Sequence, residues 1–146
     1  MRFALLCGLL LLAAGMTPTQ GGLLNLNKMI KRMTGKKPYF NYWPYGCHCG
    51  FGGIGEPKDA TDRCCHKRDC CYARLKTDGC RTMTDNYKFN ISHGVIYCSD
   101  KGNWCERELC ACDKEMALCL KQNLNSYDKS LFYYRRAYCK GSTPAC

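Results

Sequence analysis

Cysteine sets the first limit on what this chain can become. It supplies 15 of 146 residues. That density belongs to oxidised, disulfide-stapled domains and not to reduced cytosolic proteins. The length suits a single domain. Apolar residues make up 46% of the chain, too many for a disordered one. No apolar run reaches the roughly 18 residues that a membrane-spanning helix needs.

Parity sharpens the cysteine reading. Met1-Arg2 is followed by an apolar stretch from Phe3 to Ala14, which Pro18-Thr19-Gln20-Gly21 interrupts. This pattern reads as a secretory signal, too short to span a bilayer. The expected division is a signal peptide over 1–21 and a folded domain over 22–146. Removing the signal deletes Cys7 and Arg2 and leaves 14 cysteines, an even number that seven disulfides satisfy. The charge falls from +10 to +9, with 21 basic against 12 acidic residues. A secreted, extracellular protein with that charge favours anionic partners.

Periodicity then lays out a mainly α, disulfide-rich fold. Leu23, Leu26, Met29, Ile30 and Met33 recur at helical spacing, so an N-terminal amphipathic helix ends by Thr34-Gly35. Its apolar face packs on a core, meets lipid or a ligand channel, or does both. Residues 45–55 (YGCHCGFGGIG) hold five glycines and two cysteines, a loop with unusual backbone angles. Glu56-Pro57-Lys58-Asp59 reads as a helix start. A helix is expected from about 58 to 76, closed by Asp78-Gly79. Tyr87 to Tyr97, broken by Ser92-His93-Gly94, reads as a short β-hairpin. The hairpin carries an N-glycosylation sequon at Asn90-Ile91-Ser92. A second long helix is expected over about 104 to 123.

The two long helices carry matched heptads. Cys64 and Cys71 lie seven apart, as do Cys112 and Cys119. If the helices pack antiparallel, 64 faces 119 and 71 faces 112, roughly 10 Å apart along the axis. Other connectivities stay open, but this one uses both heptads. The same alignment sets Asp113 opposite position 70, near Arg68 and Asp69. An acidic pair between rigid helices beside a glycine-rich loop is a typical site arrangement.

The loop lacks the Lys-Ser or Lys-Thr of a phosphate loop. Glycines instead let carbonyls turn inward. Carbonyls of His48, Gly50 and Gly52 with the Asp69 carboxylate make an all-oxygen set, which selects calcium. Zinc on Cys47, His48 and Cys49 is the second reading, weakened because a secreted chain oxidises such thiols.

Three motifs now carry a resemblance. Tyr45-Gly46-Cys47-His48-Cys49-Gly50-Phe51-Gly52-Gly53 resembles the calcium loop of the secreted phospholipases A2. Cys64-Cys65-His66-Lys67-Arg68-Asp69-Cys70-Cys71-Tyr72 resembles their active-site helix, and Cys110-Ala111-Cys112-Asp113-Lys114 their second helix. The resemblance runs the length of the chain. It is close to the group II type and most like group IID in Leu24-Asn25-Leu26-Asn27-Lys28-Met29 and Tyr42-Trp43-Pro44-Tyr45. It implies Cys47–Cys139, Cys49–Cys65, Cys64–Cys119, Cys70–Cys146, Cys71–Cys112, Cys80–Cys105 and Cys98–Cys110. It also implies hydrolysis of the sn-2 ester of glycerophospholipids. In that reaction calcium sits on His48, Gly50, Gly52 and Asp69. A histidine base is oriented by Asp113, and Tyr72 and Tyr87 support the aspartate.

One position departs from the pattern. The family motif places its histidine base where this chain has Arg68. A guanidinium stays protonated and has no lone pair to accept a proton, so it cannot act as a general base. His66 lies about 200° around the helix and points elsewhere. Arg68 is expected to pair with Asp113 and, beside Asp69, to weaken calcium binding. The expected protein is a phospholipase A2 scaffold with impaired hydrolysis, a possible pseudoenzyme.

Charge points the surface towards anionic phospholipid. Lys28, Lys31, Arg32, Lys36 and Lys37 cluster in and after the N-terminal helix, and Lys129, Arg135, Arg136 and Lys140 add to the tail. Tyr133, Tyr134, Phe132 and Trp43 are either interfacial or ordinary packing. Heparan sulfate is a second anionic partner. No groove-reading motif calls for specific nucleic acid, and a monomer is expected. Two other functional classes follow from the same residues. One is an active phospholipase A2, should position 68 be a variant or a sequence error. The other is a noncatalytic basic ligand for heparan sulfate or a receptor.

Overall fold

A computed structural model describes residues 21–146. All but the last residue of the expected signal segment lies outside them. The chain folds in the order expected. Helix α1 covers Gly21–Thr34, a short helix α2 covers Pro38–Asn41, and the long helix α3 covers Ala60–Thr77. Strands β1 (Phe89–Ser92) and β2 (Val95–Cys98) precede the second long helix, α4, at Trp104–Gln122. Three 3-10 turns between Leu124 and Tyr138 make up much of the tail.

Caps explain the helix ends. The first long helix begins two residues later than expected. The side chain of Asp59 accepts from Asp62 N at 2.8 Å, so Asp59 is the N-cap and the helix starts at Ala60. Its far end passes through Gly79 at φ 89°, a left-handed conformation that suits glycine. Helix α4 opens with a reciprocal capping box between Asn103 and Glu106. The hairpin pairs Phe89 with Cys98 and Ile91 with Ile96. Its turn residues, His93 and Gly94, both have positive φ, the geometry a two-residue hairpin turn requires. Asn90 is exposed on β1.

The core is where α1 and α3 meet α4. Leu26, Met29 and Ile30 of α1 are buried with Leu75 of α3, Leu109, Met116 and Leu120 of α4, and Ile96 of the hairpin. Leu23 is only partly buried and lines a cavity. The α1 face therefore divides as the periodicity allowed, with most of it in the core and its first leucine at the cavity wall.

Seven disulfides join the described cysteines. Cys64–Cys119 and Cys71–Cys112 hold α3 and α4 antiparallel, with Cα separations of 5.7 and 6.0 Å. These are the two heptad pairs. Cys47–Cys139, Cys49–Cys65, Cys70–Cys146, Cys80–Cys105 and Cys98–Cys110 follow the pairing that the resemblance implied. Closing the 55-residue separation of Cys64–Cys119 removes loop entropy worth about 4 kcal/mol in the chain-entropy account. The helix pair is the rigid frame on which the candidate site is mounted.

Candidate active site

Asp113 lies on the inner face of α4 and is fully buried. Each of its oxygens accepts a tyrosine hydroxyl. Tyr72 OH of α3 donates to Oδ1, and Tyr87 OH donates to Oδ2 at 2.5 Å. Burial pushes the Asp113 carboxyl up to about 6, opposed by the two hydroxyls and by the Arg68 charge. Burial beside that carboxylate pushes both tyrosines up as well.

Arg68 lies one helical turn before Tyr72, and its side chain is 10% exposed. It does not pair with Asp113 as expected. Its Nη1 lies 3.8 Å from Asp69 Oδ1, the ion-pair contact it makes among the described residues. The guanidinium lies over the Tyr72 ring at 4.4 Å and the Trp43 ring at 5.4 Å, a cation–π arrangement. The two carboxylates differ in burial and in the partners they already hold. Both Asp113 oxygens are engaged by the tyrosines, whereas Asp69 keeps its side chain 38% exposed. Trp43 is itself fixed by its indole N–H, which donates to Asn27 Oδ1 at 2.9 Å. The Nε–H of Arg68 is buried with no acceptor, a state that costs about 1–3 kcal/mol.

The described histidines are engaged elsewhere. His48 Nε2 lies 2.8 Å from Gly55 O, and its ring packs edge-on against His66 at 5.0 Å. His66 Nε2 lies 3.7 Å from Cys70 Sγ. His93 sits in the hairpin turn, 3.0 Å from Ser92 Oγ.

The glycine-rich loop is tied to α3 by a residue that sequence reasoning passed over. Asp62 is fully buried. Its Oδ1 accepts from His48 N at 2.7 Å, and its Oδ2 accepts from Cys47 N and Lys58 N at 2.8 Å each. A Cβ on Gly46 would sit 2.5 Å from that carboxylate, so only glycine lets the loop approach it. The available signal was an acidic residue in the first turn of a helix. Tyr45 OH donates to Asp59 at 2.6 Å and draws the same loop to the helix start.

Gly50, Gly52 and Asp69 line one cavity of about 710 Å³. The zinc reading is overturned, because Cys47 and Cys49 are both in disulfides. The Asp69 carboxylate shares a cavity wall with Gly50 and Gly52, and a carboxylate with backbone oxygens is a set that fits a hard cation. Two guanidiniums compete for them. Arg68 faces Asp69, and Arg136 Nη1 donates to Gly52 O and, at 3.4 Å, to Phe51 O. Burial raises the Asp69 carboxyl, and the Arg68 charge pulls it back down.

The cavity walls include Leu23, Tyr39, Trp43, Phe51 and Met83. Phe51 is 93% exposed, and Tyr39 is also exposed. Neither was singled out from the sequence, because a lone aromatic in a loop carries no periodicity.

Comparison with known proteins agrees with this geometry. The phospholipase A2 family model matches residues 23–132. The chain is 73% identical to "Group IID secretory phospholipase A2" of Mus musculus over 146 residues, covering all of both chains. It is 62% identical to the protein of that name from Homo sapiens, again over the whole of both. Identity to the human "Phospholipase A2, membrane associated" is 49%, over 94% of this chain and 98% of that one. A helix pair clamped by two disulfides, a glycine-rich loop against it and matches of this extent lead to one conclusion: the chain belongs to the phospholipase A2 family.

Proposed function

We propose that this chain is a secreted, calcium- and phospholipid-binding member of its family whose hydrolysis of the sn-2 ester is strongly impaired. Arg68 carries this reading. A guanidinium stays protonated and has no lone pair free to take a proton from water, so it does no base work here. His48, His66 and His93 are held by other partners, so no imidazole substitutes for the missing base. Asp113 keeps both tyrosine partners but has no ring to orient.

Calcium would be held by the carbonyls of His48, Gly50 and Gly52 and by the Asp69 carboxylate, and when bound it polarises the ester carbonyl and grips the phosphate. Asp62 and the loop glycines fix the backbone that presents those carbonyls. Arg68 and Arg136 lower the site's affinity by placing positive charge on two of the four donors.

Attachment to anionic phospholipid rests on the positive charge and on the exposed apolar rim formed by Tyr39 and Phe51. A basic residue near an anionic membrane contributes roughly 1 kcal/mol. Heparan sulfate is a second anionic partner of the same surface, and the protein acts as a monomer. Domain limits follow the signal boundary, with the folded domain over 22–146.

The test joins two measurements on the wild-type protein. Co-sedimentation with phosphatidylglycerol vesicles in calcium should show binding that phosphatidylcholine vesicles lack. Release of sn-2 fatty acid from the same vesicles should be slower by about 10² to 10⁴ than a base-assisted reaction allows. Bound protein turning over at ordinary family rates would refute the proposal.

A further inference from the structure

The disulfides differ in how far the fold covers them. Six have at least one buried cysteine. Cys70–Cys146 has none: Cys70 is partly buried and Cys146 is exposed. Residues 140–146, which this bond pins to α3, are all exposed. Cys47–Cys139 anchors the chain just before them. Opening Cys70–Cys146 therefore releases a short segment and leaves the core closed. Thiol–disulfide exchange depends on access, and this pair offers the most of it.

A histidine stands beside the bond. His66 and Cys70 are four apart on α3, the spacing that sets two metal ligands on one helix face. His66 Nε2 lies 3.7 Å from Cys70 Sγ. Together with Cys146 Sγ they place three ligand atoms within 4.8 Å of one another. Two cysteine sulfurs and an imidazole form a set that selects zinc over calcium. Zinc at about 2.3 Å from each sulfur requires the sulfurs to part, which the exposed segment permits. Cys47 and Cys49 offer no such opening, since both are buried.

We propose that Cys70–Cys146 is a reducible bond whose opening creates a zinc site on His66, Cys70 and Cys146. In the first step a dithiol reductant is oxidised to its own disulfide. Its two hydrogens go to the sulfurs of Cys70 and Cys146. In the second step both thiols lose their protons to solvent as the sulfurs bond zinc. His66 contributes the Nε2 lone pair, and water takes the fourth position. Zinc then replaces the disulfide as the tie between α3 and residues 140–146. The site is distinct from the oxygen donors assigned to calcium and does not depend on Arg68.

The test is limited reduction of the secreted protein with dithiothreitol, then desalting without oxygen. One portion is alkylated for mass spectrometry. The rest is titrated calorimetrically with zinc chloride in excess calcium, beside the oxidised protein. Cys70 and Cys146 should be alkylated before the other cysteines. The reduced protein should bind one zinc that the oxidised protein does not. Cobalt(II), as a spectroscopic stand-in, should give a sulfur-to-metal charge-transfer band in the reduced protein alone. His66→Ala leaves the disulfide intact. After reduction it should bind zinc more weakly by more than the roughly 10–100-fold that loss of a supporting residue costs. First alkylation at another pair would overturn the proposal, as would equal zinc binding before and after reduction. Wild-type zinc affinity in His66→Ala would overturn it too. Should that variant not fold, the cobalt spectra of oxidised and reduced wild type decide alone.

Discussion

The two sides of the cavity respond differently to the same cation. On the helix side, Asp113 is buried and each of its oxygens accepts a tyrosine hydroxyl. On the side that faces the loop, Asp69 of α3 is partly exposed and meets Arg68, and the Gly52 carbonyl accepts from Arg136. Arg68 lies near both carboxylates but meets only Asp69. The contacts of Asp113 with Tyr72 and Tyr87 therefore stand intact beside Arg68, whose ion pair is with Asp69.

That contrast is most exposed by a double substitution. In an Arg68→His background, Asp113→Asn should lower sn-2 hydrolysis by about 10² to 10⁴, because Asp113 then has a ring to orient. In the wild type the same substitution should leave the residual rate unchanged. Equal losses in both backgrounds, measured on anionic vesicles, would show that Asp113 acts without an imidazole. Next in size, replacing Cys64 and Cys119 together with alanine should cost about 2–5 kcal/mol in denaturant unfolding. Both sides should loosen together, since α3 carries Tyr72 for the aspartate and Asp62 for the loop. Loss confined to one side would mean that the clamp is not their common frame.

A pH series separates the sides more gently. The folded Asp113 carboxyl is pushed up to about 6, above its ordinary carboxylate value, so the native state binds the extra proton. Its contribution to stability is full below the ordinary carboxylate range and is lost as pH rises through about 6. Asp69 is raised too and acts with the same sign. Asp113→Asn should flatten most of the fall in melting temperature between about pH 4 and 6. An unchanged profile would assign that fall to the loop side. The smallest effect expected is on the metal. Arg136→Gln should raise calcium affinity by about twofold to fivefold, the range for an exposed charged contact. Calorimetry showing no gain would mean that the Arg136–Gly52 contact does not compete.

Much of this frame is legible in the sequence. The two cysteine heptads specify antiparallel helices because their spacing puts each pair on one face. Five glycines in eleven residues specify an irregular loop. Those patterns are local, and local geometry is what spacing encodes. Other features are not local. Asp62 anchors the loop through its carboxylate, yet in the chain it is only an acidic residue near a helix start. Arg136 reaches Gly52 across 84 residues. Proximity of Arg68 to Asp113 was legible from helix alignment, but its choice of Asp69 was not. That choice depends on side-chain contacts with Tyr72, Trp43 and Asp69, which spacing does not encode.

The central claim is that Arg68 alone stands between this scaffold and hydrolysis. It is tested most directly by comparing wild type and Arg68→His on one batch of phosphatidylglycerol vesicles at saturating calcium, following sn-2 fatty acid release. Our account predicts a gain of about 10² to 10⁴ in the variant. Equal rates in the two proteins would contradict it.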